Sequence, residues 1–185
     1  NRQFWSNEVI VPETHYTVEN ENGTFTVKEG AEAYVKTGMT TGPYFAPKNI
    51  GYATLEEALA KAQEFVDENV TILKEVTLDK TLTIEAGKKI TLDLNGKTIS
   101  GVCNSGQGHM FMVQNTADLT VKDSSENEEG KITYSRGTSN TGWVIDLEGD
   151  LILESGTIEL TGDSWSIGYA VDVRPNSWGS EYTEA

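Results

Sequence analysis

Asp146 and Asp172 are the two carboxylates whose setting could do chemistry. Each lies in a short apolar phrase, Trp143-Val-Ile-Asp-Leu147 and Tyr169-Ala-Val-Asp-Val173, 26 residues apart. On neighbouring parallel strands, equivalent residues stack about 4.8 Å apart. Ile145 and Val171 then face inward and both aspartates face out. Two like charges that close share a proton, hold a cation or splay into solvent. Carboxylates about 5–5.5 Å apart would also suit a retaining glycosidase. On an acidic surface such a pair is ordinarily just solvated, and the cation it would otherwise suit is calcium.

Other reactive side chains give weaker signals. The turn Asp123-Ser-Ser-Glu-Asn-Glu-Glu129 is acidic but lacks the alternating ligands and central glycine of a calcium loop. Cys103 has His109 six residues on, and a reactive thiolate needs an imidazole that the fold brings alongside. Two histidines and one cysteine do not make a zinc site. Aromatics are more promising. Trp165, Tyr169, Trp178 and Tyr182 cluster near the end of the chain among Ser, Gly and Asn, where flat rings suit a sugar or a protein partner. Phe111, Trp143 and Tyr169 read as one column of a repeat.

Composition narrows the classes. Lys plus Arg total 14 against 29 Asp plus Glu, a formal charge of −15. That surface repels phosphate backbones and argues against nucleic acid. It also repels polyanionic sugars unless a cation bridges them. A single cysteine excludes an internal disulfide. No apolar run reaches 18 residues, so membrane insertion of this segment is not expected. The chain shows no leader and stops as a further repeat begins, and reads as a piece of a longer protein with neighbouring domains.

The elements that would position these residues are strands in repeats. Ile90-Thr-Leu-Asp-Leu94 alternates with period two, and Asn95-Gly96 supplies a turn because both residues tolerate positive φ. The phrase recurs at Leu119-Thr-Val-Lys-Asp123 and Leu151-Ile-Leu-Glu154. Leu92, Val121 and Leu153 match at steps of 29 and 32 residues, and Gly96, Gly130 and Gly156 are aligned with them. The second phrase, from Phe111, Trp143 and Tyr169, has steps of 32 and 26. Periods of 20–50 residues built from short strands predict a parallel β-solenoid with apolar residues stacked inside. Before it, Thr54 opens a helix with Leu55, Ala58, Leu59, Ala62 and Val66 on one face. Residues 1–49 read as a β-hairpin appendage, with strands at Tyr16–Val18 and Thr24–Val27 and a third at Glu32–Lys36. Residues 50–185 read as the helix plus a truncated parallel β-helix of three to four coils.

The run Tyr52-Ala-Thr-Leu-Glu-Glu-Ala-Leu-Ala-Lys-Ala62, then Val70-Thr-Ile-Leu-Lys-Glu-Val-Thr-Leu78, Leu82-Thr-Ile84 and the Ile90 stretch, resembles the start of a right-handed parallel β-helix of the pectate-lyase-like superfamily. More narrowly it resembles β-helix modules of large surface proteins of Gram-positive, often gut-dwelling bacteria. The resemblance covers roughly residues 50–173, is specific for fold and carries little about activity. It implies a helix that caps the first coil. It also implies an extracellular protein attached to the cell surface through parts outside this chain. Lyases of that superfamily use aspartate-held calcium and a basic residue that removes a proton. Only Arg136 and Arg174 lie within the coils here, and no basic cluster awaits a polyanion. The expectation is therefore a non-catalytic adhesion module for a host glycan or a host surface or mucosal protein of mucin or immunoglobulin type. Its contacts would be Trp165, Tyr169, Trp178 and Tyr182, with no cofactor beyond the calcium that Asp146 and Asp172 would hold. A fragment of a lyase or glycosidase, and a plain structural stalk, are the alternatives.

Overall fold

The structure, a computed structural model, describes residues 11–37, 48–64, 67–102, 107–136, 141–162 and 167–174. The described residues are mainly β, with sixteen strands and one helix. β1 (His15–Glu19) and β2 (Phe25–Glu29) form the antiparallel hairpin that alternation predicted, and Gly23 closes its turn at φ +75°. β3 (Ala33–Thr37) lies between two antiparallel partners, β4 (Lys48–Tyr52) and β5 (Asp67–Ile72). β4 was not expected from the sequence. Its Lys-Asn-Ile-Gly-Tyr has little alternation, and it is a strand because β3 offers it a full ladder.

The helix α1 (Leu55–Ala62) begins as its sequence dictates. Thr54 is in extended conformation and its hydroxyl accepts from the Glu57 N–H at 3.2 Å. Leu55, Ala58, Leu59 and Ala62 are all buried, so four of the five stripe residues face the core. Val66, the fifth, lies outside the described residues.

Twelve strands follow in groups of three. The first group is β5, β6 (Val76–Leu78) and β7 (Leu82–Ile84). The second is β8 (Lys89–Asp93), β9 (Thr98–Val102) and β10 (Gln107–Val113). The third is β11 (Asp118–Lys122), β12 (Lys131–Ser135) and β13 (Thr141–Leu147). The fourth is β14 (Asp150–Leu153), β15 (Thr157–Thr161) and β16 (Ile167–Val173). Each strand pairs in parallel with the strand three places later, which gives three sheets. One is β14-β11-β8-β5, extended by β3-β4-β1-β2; the others are β16-β13-β10-β7 and β15-β12-β9-β6.

Register stacks like on like. Val70, Leu92, Val121 and Leu153 form one column, and Val76, Ile99, Ile132 and Ile158 another. Leu82, Phe111, Ile145 and Val171 form a third. All contribute to one hydrophobic core except Leu153, which is 47% exposed. Where Tyr134 needs room, the strand beside it carries Gly101, whose missing Cβ would lie 3.2 Å from the tyrosine ring.

Two alignments from the sequence are corrected. Trp143 pairs with His109 and Tyr169, whereas Phe111 pairs with Ile145, so Phe111, Trp143 and Tyr169 are not one column. Phe111 faces the core and Trp143 does not, because the alternation breaks between their register positions. The ladder also steps over Met110, Val144 and Ala170. At that joint Met110 and Phe111 are both buried, as are Val144 and Ile145, and the simple period fails. Likewise Lys131 pairs with Thr98 and Thr157, which sets Gly130 and Gly156 level with Lys97, one residue past Gly96.

Candidate functional site

The site lies on the face of β10, β13 and β16 that turns away from the core. On β13 the core takes Val144, Ile145 and Leu147, and leaves Trp143 and Asp146 to the other face. His109, Trp143 and Tyr169 form one row there, and Met112, Asp146 and Asp172 the next. The pairing of Asp146 with Asp172 is the one that the repeat predicted.

Their environment differs from the expectation of two solvated carboxylates. Asp146 is 1% exposed. A buried carboxylate must be paired or it would take up a proton. The partner is Arg174, just past the end of β16. Its Nε lies 3.0 Å from Asp146 Oδ1 and 3.3 Å from Asp172 Oδ2. The guanidinium therefore stands between the two aspartates, where a metal cation was expected. Among the described residues no three His, Cys, Asp or Glu side chains converge as metal ligands. The Asp146 contact is close in distance without the alignment of a hydrogen bond, so it acts by charge. The guanidinium carbon also sits 5.4 Å from the Trp143 ring centroid, a cation–π arrangement.

His109 completes the group. Its Nδ1 is 3.7 Å from Asp146 Oδ2, too far for a hydrogen bond but close enough to feel the charge. Burial pushes its pKa down from the usual 6.5, Asp146 pulls it up and Arg174 pushes it down again; the net direction is down. Near neutral pH the imidazole is uncharged, and the group of two carboxylates and one guanidinium carries a formal charge of −1. The Arg174 guanidinium is a donor only, with no acceptor and no role as a base.

Tyr169 is 56% exposed beside this group and offers an open ring. Trp165, Trp178 and Tyr182, the other aromatics expected to bind, lie outside the described residues, as does Cys103. His109 and Trp143 were missed as site residues. The sequence sets His109 only beside Cys103, and places Trp143 in a structural column with Phe111 and Tyr169.

A second acidic cluster is spent on structure. The Asp123 carboxylate accepts from the N–H groups of Gly96 at 2.7 Å, Ser125 at 3.0 Å and Gly130. Burial would raise its pKa, but these hydrogen bonds outweigh that and hold it below the usual 3.8. One strand group away, Asp93 Oδ1 accepts from Asn95 N–H at 3.1 Å and Ser124 N–H at 3.0 Å. Oxygens already engaged by backbone donors have little left for calcium. Gly130 is required there, since a Cβ would lie 2.5 Å from Asp123 Oδ2.

An open groove of about 400 Å³ runs between α1 and β7, lined by Glu56, Leu59, Gln63, Glu64 and Thr83 among others. Gln63 fills the strand position at its floor. Its amide donates to Thr83 O at 3.1 Å and accepts from the Glu85 N–H at 2.6 Å. No helix among the described residues is long and apolar enough to cross a membrane.

Comparison with protein-family models, with curated proteins and with solved structures returns no significant match.

Proposed function

We propose that this chain is a right-handed parallel β-helix module of a bacterial cell-surface protein, and that it binds a host glycan without catalysis. Support for the β-helix comes from the pairing of each strand from β5 to β13 with the one three places later, and from the shared core. Support for the resemblance to pectate-lyase-like modules, and for an extracellular place, remains the sequence run from Tyr52 to Ser100.

The observation that carries glycan binding is Tyr169. An exposed ring beside a rigid, planar set of donors and acceptors is how proteins meet a sugar: the ring takes the apolar face, and Asp172 and Arg174 take hydroxyls. The Arg174 fork is fixed before a ligand arrives, which lowers the entropy lost on binding. A glycan array and a panel of mucosal proteins test it. Tyr169→Ala should lose binding at least about tenfold, with unfolding shifted by no more than about 0.5 kcal/mol, as for most surface changes. The Trp165→Ala/Trp178→Ala double variant shows whether those rings belong to the same surface. Binding of a mucin or immunoglobulin polypeptide that survives removal of its glycans would replace the sugar with a protein partner.

His109 beside Asp146 favours a second reading, a fragment of a carbohydrate-active enzyme in which the neutral imidazole is a base. Product released from a polysaccharide panel, and abolished by His109→Gln, would support it.

A further inference from the structure

We infer that the site selects sugars without acidic groups, neutral or amine-bearing, and rejects uronate- and sialate-type sugars. This rests on the glycan reading above and adds the ligand's charge to it.

Arg174 is the only cation in the group, and it is already committed. Its Nε faces Asp146 at 3.0 Å and Asp172 at 3.3 Å. A ligand carboxylate can reach the guanidinium only on its Nη side, with the two aspartates on Nε further back, so two negative charges offset the one positive charge that it meets. The pair cancels most of the attraction, and the formal charge of −15 on the chain tips the balance toward repulsion. The second positive charge that could correct the balance would have to be a protonated His109. Burial opposes it, and the side chain lies against Asp146 and Arg174.

Neutral sugars face no such cost. Nε holds the aspartates, which leaves donor capacity on the Nη nitrogens of Arg174, a side chain 47% exposed. Asp172, 26% exposed at its side chain, supplies acceptor oxygens. Donor and acceptor side by side suit vicinal hydroxyls, and Tyr169 offers a stacking face. An ammonium on the ligand would gain directly from the −1 charge. Asp146 is inside the group and too buried to touch a ligand, so it sets the field and the position of Arg174.

The test is calorimetric titration of the full chain at pH 7 with matched oligosaccharides. Galacto-oligosaccharides are compared with oligogalacturonates, and chitin oligomers with their deacetylated, amine-bearing forms. The expected result is that the neutral member binds at least about tenfold more tightly than its acidic partner, the scale set by one unbalanced charge near a surface. The deacetylated oligomers should bind no more weakly than chitin oligomers at low salt, and lose their advantage as salt rises. Asp172→Asn brings the formal charge of the group to zero and should shrink the neutral-to-acidic ratio several-fold, with folding checked by thermal unfolding. Equal or tighter binding of the oligogalacturonate by the unaltered chain overturns the charge selection and leaves glycan binding standing. Binding of no oligosaccharide by the unaltered chain overturns both.

Discussion

Asp123 is a buried carboxylate spent on structure. Three backbone N–H groups from two corners of the fold converge on it. Asp123→Ala strands all three, and should cost about 3 kcal/mol in urea unfolding at pH 7. Asp123→Asn keeps one acceptor oxygen and should cost less. The folded pKa is depressed, so the contribution is full above the unfolded value near 3.8 and is lost as pH falls through the folded one. Stability of the unaltered chain should therefore drop below about pH 4, and drop less in Asp123→Asn. His109 behaves in the complementary way. Its folded pKa lies below 6.5, so the unfolded chain binds the proton first. Acidification through that region favours unfolding, and the chain should be less stable at pH 5.5 than at pH 7.5, a difference that His109→Gln removes. Asp123 was legible in the sequence only as part of an acidic turn. Ser125 two residues ahead is local, but Gly96 lies 27 residues back and Gly130 7 ahead, and no local pattern announces those two.

Edges decide how the strands of the first group survive. β7 is the end strand of its sheet, and an unpaired edge is a template for unwanted pairing. Gln63, at the end of α1, mimics the missing neighbour by donating to Thr83 and accepting from Glu85. Gln63→Ala should cost about 1–2 kcal/mol and speed amide exchange at Glu85, while Gln63→Glu, which cannot donate, should repair only part of it. Thr54→Ala, at the other end of α1, should cost about 1 kcal/mol through loss of its cap to Glu57. The helix was legible from its cap at Thr54 to Ala62, because cap and stripe are local. β4 was not, because its strand character comes from β3. The third sheet was legible in its aspartate pairing but not in its aromatic pairing, since the ladder steps over Met110, Val144 and Ala170 and breaks the alternation there.

The four groups share one core, but its protection is uneven. Leu92 and Val121 are fully buried, while Leu153, next in the same column, is 47% exposed. The same holds on the third sheet, where Leu147 is 8% exposed and Val173 69%. Each group covers the inward side chains of the one before it. Leu92→Ala should therefore cost about 3 kcal/mol, within the range for buried leucines, and Leu153→Ala under about 1.5. Equal costs in denaturant unfolding would mean that Leu153 is covered in solution. The formal charge of −15 spreads over this whole surface, so stability should also rise between low and physiological salt as self-repulsion is screened.

The sequence by itself determined the β class, the repeat, the cap and stripe of α1, the N-terminal hairpin and the equivalence of Asp146 with Asp172. All of these follow from local alternation, turn residues and spacing, which are properties of the chain before it folds. Tertiary structure alone decided what the aspartates face. Arg174 follows Asp172 by two residues, yet its contact with Asp146 spans 28 residues and depends on register. The same register sets Trp143 under Arg174 and brings His109 within 3.7 Å of a carboxylate 37 residues away. Charge at that site is a sum over β13, β16 and the residue just past β16, and no one strand carries it.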